Sequence, residues 1–220
     1  LVPITLAPGC FIRELSGITL PATIELRAHT GKRLIAFTNS TLLAHFGLSG
    51  PGVLDISRYY LDAAAGAIAA AEPPPVLVLN FLPDQTLEAF DAVLQGLGKR
   101  SPLSLLRERL PERLALALLT EARIDPATLG AGLSREQRRA LARAATELPL
   151  PVTGDRGFVH AEVTAGGVPL SELHLNTMES RVCPGLHVIG ELCDVDGRIG
   201  GFNFQWAWAS GYLAGRASGG

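Results

Sequence analysis

The sequence predicts an α+β chain whose strands, helices and closing strand-turn-helix come in successive blocks. Three observations predict it. Residues 1–83 break short apolar runs with turn residues, residues 84–150 change to helical periods, and from Gly185 on an apolar run leads through glycines into a helix. With 220 residues, 47% of them hydrophobic, the chain has the material for a sizeable core.

The β-rich block carries apolar runs at residues 2–6, 18–26, 34–37 and 76–81. In the second run Ile18, Leu20, Ala22, Ile24 and Leu26 alternate with Thr19, Pro21, Thr23 and Glu25, the period-two pattern of a half-buried strand. Gly47 to Gly52 punctuates the block, and residues 53–60 follow as a short helix. Pro73, Pro74 and Pro75 form a stiff connector. The helical block reads as about four short helices over residues 86–97, 101–106, 112–122 and 135–148. Ser134 and Gln137 fit a capping box, and Pro149 and Pro151 close the block. Residues 151–184 give short extended pieces rich in Thr, Val and Gly.

Nineteen basic against 21 acidic residues leave a net charge of −2 with no dense basic run, so the reading excludes nucleic acid as a partner. Cys10, Cys183 and Cys193 are odd in number and form no CxxC pair, which argues against disulfides and structural zinc and for a reducing cytoplasm. No apolar run is long enough to span a bilayer; the longest candidate, around residues 63–71, is stopped by Glu72 and the three prolines. Residues 1–10 superficially resemble a secretion leader. They lack a basic first segment and contain Pro3 and Pro8, so they read as a strand.

The end of the chain is its most informative part. Residues 186–189 form a short strand ending at Gly190 and Glu191, and a Gly/Asp-rich loop reaches Gly200 and Gly201. Phe202 or Asn203 then opens a helix through Arg216. A helix start reached through glycines presents free backbone N–H groups and a positive dipole end, which suits an electron-rich cofactor edge. Spacing alone is explained equally well by a tightly packed motif with no ligand.

Other constellations are weaker. His29, His45, His160, His174 and His187 lack metal-ligand spacing, and Asp194, Asp196 and Gly197 lack the later ligands of a calcium loop, so no metal is expected. Ser49 near His45 lacks the G-x-S-x-G nucleophile elbow. Trp206 and Trp208 read as core packing, and Cys183 and Cys193 as small buried hydrophobes.

Several rare motifs then occur in one order: residues 163–168 (VTAGGV), 177–180 (TMES), Pro184 to Leu186, Gly190 and Glu191, residues 194–197 (DVDG), residues 200–203 (GGFN), and Ser210 with Gly211. Residues 1–6, residues 15–18 and the block His45 to Pro51 accompany them. Over nearly the whole chain this resembles the bacterial NAD(P)/FAD-dependent oxidoreductases of the BaiN-like, or aminoacetone oxidase, type. The resemblance implies a β-barrel-like insert (residues 1–83), a helical insert (84–150), return strands and a linker (151–184), and a C-terminal segment (185–220) that completes a Rossmann-like FAD domain. It implies FAD as cofactor, a small-molecule substrate and NAD(P)H as partners, and hydride transfer through the flavin. Gly190 and Glu191 would lie near the ribityl or pyrophosphate region. Gly200, Gly201, Phe202 and Asn203 would offer backbone donors to the flavin pyrimidine edge, and Gly166 and Gly167 would let backbone approach the ring or substrate.

The family's G-x-G-x-x-G fingerprint is absent: Gly130 to Gly132 lies between helices, and Gly197 to Gly201 has the wrong spacing. With Leu1 rather than Met at the start, this predicts the insert and C-terminal parts of a longer enzyme, inactive by itself. The alternative is a non-catalytic fragment or binding module lacking the cofactor half. No acid, base or oligomeric state is assigned. For want of partner strands, the strand at residues 186–189 is expected to pair irregularly, with a neighbouring molecule, or with a segment outside this sequence.

Overall fold

The computed structural model describes residues 1–70 and 72–219. Ala71 of the alanine-rich run and Gly220 of the C-terminal segment lie outside the described residues. Contacts divide the chain into two compact units: Pro3–Asp155, and Leu1–Val2 together with Arg156–Gly220.

In the first unit the elements run β1 (Ile4–Leu6), β2 (Thr19–Arg27), β3 (Arg33–Ala44), β4 (Gly47–Ser49), α1 (Pro51–Ala70), β5 (Val76–Asn80), α2 (Leu87–Gln95), α3 (Pro102–Arg107), α4 (Glu112–Glu121), α5 (Arg135–Thr146), β6 (Leu148–Pro149) and β7 (Val152–Asp155). The alternation read in β2 is realised: Leu20, Ala22, Ile24 and Leu26 are buried, while the residues between them face outward. Pro21, which has no N–H to give a ladder, sits before β5 begins to pair with β2 at Thr23. β3 extends well past residues 34–37, because the polar residues Thr38 to Thr41 continue the ladder with β2, where the Thr23 and Thr38 hydroxyls meet at 2.7 Å. α1 likewise outruns the short helix expected at residues 53–60, and it buries Val53, Leu54 and Ile56.

All pairings in the seven-stranded sheet are antiparallel, in the order β6-β5-β2-β3-β4-β1-β7. Laid flat, its edges would stand about 29 Å apart, six gaps of ~4.8 Å. Yet Leu150 donates its N–H to Leu77 O beside one edge at 2.8 Å, and the next residue, Pro151, accepts from Ala7 N beside the other at 2.8 Å. Adjacent residues cannot span that gap, so the sheet curls round and its edges meet through residues 148–155 as a barrel.

The four helices that follow start on side-chain caps or prolines. The Thr86 and Ser101 hydroxyls accept from Ala89 N and Ser104 N, Pro111 precedes α4, and Ser134 with Gln137 makes the full capping box of α5. Arg138 of α5 turns inward to Asp91 of α2 at 2.6 Å. The short turn at Gly130–Gly132 presses on the link between α2 and α3, where a Cβ on Gly130 would lie 2.3 Å from Leu97 Cβ. One continuous core joins barrel and helices, from Ile4, Ile24 and Leu79 to Phe90, Leu118 and Leu141.

The second unit has little regular structure before its last helix. β8 (Leu173–His174) pairs with β9 (Glu179–Ser180), and α6 (Phe202–Ser218) ends the chain. Its small core is Leu173, Met178, Val188, Cys193 and Ala214. Residues 186–189, read as a strand, form none; they run beside β9 through one antiparallel bridge, Glu179 to His187, and the bonds Ser180 N to Leu186 O and Val188 N to Met178 O. Among the described residues no helix is long and apolar enough to cross a membrane.

Candidate functional site

All the glycines and side chains singled out near the end of the sequence fall in the second unit. The Val168 N–H donates to Leu192 O (2.8 Å) and the Asp194 N–H to Val168 O (2.9 Å), so residues 166–168 lie along residues 192–194 as one parallel bridge. This approach requires Gly167, whose φ is +136° and whose Cβ, if present, would stand 2.7 Å from Leu192 O. The Gly166 N–H donates to the Asp194 carboxylate at 3.1 Å. Asp194 thus tethers Gly166, the first of the glycine pair.

Gly190 is buried and clamped against α6. Its N–H donates to Ser210 Oγ (3.1 Å), and its carbonyl accepts from the Trp206 indole N–H (3.1 Å). Glu191, one residue on, is exposed. Ser210 and Trp206 were not singled out as site residues; Ser210 entered only with Gly211 among the motifs of the resemblance, and nothing local marks either as a partner of a distant glycine.

At the start of α6, Asn203 uses both ends of its amide on one residue: Oδ1 accepts from Gly197 N (2.7 Å) and Nδ2 donates to Gly197 O (2.8 Å). Its side chain therefore closes the loop from residue 197 to 203. Gly200 and Gly201 have φ of +123° and +89° and lead directly into the helix. Gly201 is the N-cap and supplies no side-chain acceptor, and there is no acidic residue in the first turn. Among the described residues no side chain caps the first-turn N–H groups or offsets the positive end of the dipole there. Space beside Gly201 is open, and the half-exposed Phe202 ring carries the Arg198 guanidinium 5.0 Å from its centroid.

Trp206 is half-buried, but Trp208 is not a core residue. It is 70% exposed and shares an i, i+4, i+8 row with Phe204 (69%) and Tyr212 (64%). Phe204 and Trp208 stack at 6.3 Å. Cys193 is buried, its thiol pushed above its ordinary range by burial, while Cys183 is exposed. The described residues hold no cluster of three or more His, Cys, Asp or Glu fit for a metal ion.

These features define a class: an antiparallel barrel bearing a helical subdomain, followed by a glycine-rich unit with an open helix start. The chain belongs to the HI0933-like protein barrel and H2TH domain family, whose model matches residues 1–163. It is 36% identical over 96% of its length to an Escherichia coli protein named ribosomal RNA dihydrouridine synthase, and 34% identical over 92% to a Haemophilus influenzae protein of the same name. It is 35% identical over 88% of its length to the 3-dehydro-bile acid delta(4,6)-reductase of Clostridium scindens. These alignments cover 50%, 46% and 47% of the three relatives, so the chain spans about half the length of the curated relatives it matches.

The exclusion of nucleic acid is corrected by this comparison, because two relatives carry names that specify ribosomal RNA. Net charge was the wrong measure. It averages over the chain and does not report where unpaired charges sit.

Proposed function

We propose that this chain is the barrel, helical and C-terminal part of a flavin-dependent reductase of the BaiN-like type. The relatives' names share one chemistry, addition of hydrogen across a C=C bond conjugated to a carbonyl, in a uracil base or in a bile acid. The substrate class taken here is a uridine within RNA, supported by the two ribosomal RNA enzymes. FAD, with NAD(P)H as the reductant, supplies the hydride chemistry when bound.

One observation carries the cofactor reading: α6 begins at two positive-φ glycines, without a side-chain cap and with open space beside Gly201. Such a start suits an electron-rich flavin edge, for which a helix dipole contributes roughly 0.3–1 kcal/mol. In this reading the backbone of Gly200, Gly201, Phe202 and Asn203 faces the flavin, and Asn203 keeps the turn in shape through Gly197. Gly190 and Glu191 border the more distal part of the cofactor, and Gly166 and Gly167 bring backbone to the ring or substrate. The C-terminal unit belongs to a Rossmann-like FAD domain completed by further polypeptide. Its exposed Leu186, Leu192, Phe204 and Trp208 support this, being apolar surface in want of cover.

A chimera tests the reading. The 220 residues replace the matching half of the E. coli relative, in a strain lacking that enzyme, and dihydrouridine in ribosomal RNA is measured by mass spectrometry. Restored dihydrouridine is expected. A folded, flavin-loaded chimera that reduces a 4,6-diene bile acid and leaves ribosomal RNA unmodified would contradict the substrate assignment.

A further inference from the structure

Helix α5 is unlike the other helices of the first unit in how it disposes its arginines. Arg138 is turned inward to Asp91, whereas Arg135, Arg139 and Arg143 are all exposed and enter no ion pair among the described residues. Their spacing is i, i+4, i+8, so they form one row along the solvent face, each step rising about 6 Å along the axis. Three arginines around α3 behave otherwise: Arg100 pairs with Glu108, Arg107 with Glu112 and Arg109 with Asp84, while Arg113 bonds the Glu14 carbonyl and Arg123 stands outside the row. Of the acidic residues of α5 itself, only Glu136 flanks the row.

The row also leads somewhere. One turn beyond Arg143 lies Glu147, next to Thr146, and both line a groove of about 570 Å³. Its other walls include Thr23, Thr38 and Asn80 of the barrel and Gln85 and Thr86 before α2, all hydrogen-bonding groups. Arg27 lies in it between Glu25 (2.7 Å) and Glu147 (3.0 Å), and Arg33 reaches Glu25 at 3.4 Å. With Glu88 also in its wall, the groove is polar and carries a slight excess of negative charge, and the unbalanced positive charge is on the helix that leads to it.

From this we infer that the exposed face of α5 is an RNA-docking surface, with Arg135, Arg139 and Arg143 each meeting a backbone phosphate of one strand. The inference rests on the RNA reading given above and adds the surface that holds the strand. Unpaired guanidiniums in a row neutralise successive phosphates and release their counterions, and they do so whatever the base sequence. Arginine's planar donor fork suits phosphate oxygens.

The test measures binding of the 220-residue chain to a fluorescein-labelled RNA hairpin with unpaired uridines, by anisotropy across a salt series. The triple variant Arg135→Gln, Arg139→Gln, Arg143→Gln is compared with Arg100→Gln, Arg107→Gln, Arg109→Gln, which loses the same charge from paired positions; circular dichroism checks that both fold. The α5 variant should bind roughly tenfold or more weakly at moderate salt, with a slope of log affinity against log salt shallower by about 0.7–0.9 per arginine. The control should keep the parent slope. Equal losses in both variants would make the binding diffuse and overturn the inference, and so would no loss in either, which leaves the RNA reading standing. A parent chain that fails to bind the hairpin even at low salt would overturn both.

Discussion

A Cβ on Gly167 would meet Leu192 O at 2.7 Å and Cys193 O at 3.0 Å in a backbone region that L side chains avoid. Gly167→Ala should therefore destabilise the second unit by about 1–3 kcal/mol in urea unfolding, and a change below ~0.5 kcal/mol would show that the bridge to residues 192–194 yields freely. The cysteines offer a second residue-level check. Exposed Cys183 should alkylate rapidly in the native protein and buried Cys193 slowly. Burial raises the Cys193 thiol above its ordinary 9.0, so the folded state favours the protonated form. That stabilisation is complete below pH 9 and is lost as pH climbs through the raised value; Cys193→Ala should flatten the alkaline fall in stability. At this scale the glycine positions were legible because a positive φ or a close approach leaves a mark in residue type. Trp206 and Ser210 were not, since the bonds that give them their role reach back 16 and 20 residues to Gly190.

Among the elements, α5 was read most fully, down to its capping box, because caps and amphipathic spacing are local properties. Ser134→Ala should cost about 1 kcal/mol of stability by denaturant titration, and no measurable loss would mean that tertiary packing alone holds the helix start. β2 was legible for the same reason, its period of two extending over residues 18–26. β3 was missed beyond residue 37 because its polar half earns strand geometry from cross-strand partners in β2, which a local reading does not see. The helix α6 shows the opposite failure: Trp208 was read as core, yet it lies with Phe204 and Tyr212 in an exposed row. Their i, i+4, i+8 spacing was in the sequence, but spacing alone does not say which side of a helix is covered.

For the molecule as a whole, closure of the sheet through Leu150 and Pro151 is a non-local fact that no window of sequence contains. It makes Pro3–Asp155 a body with one shared core, while the second unit rests on a small cluster and short pairings. Limited proteolysis should cut within residues 156–200 first and leave a resistant fragment ending near Asp155; early cleavage inside α2 to α5 would contradict that division. The family is shown by residues 1–163, while the proposed flavin contacts lie beyond them, at the start of α6. The central claim is that this start faces the flavin. Its most direct test is the flavin content of the purified chimera with and without Gly201→Val. The account predicts a flavin-loaded parent and a folded variant with most of its flavin lost, because a β-branched residue cannot hold φ near +89° there. A folded Gly201→Val chimera with undiminished flavin would contradict it.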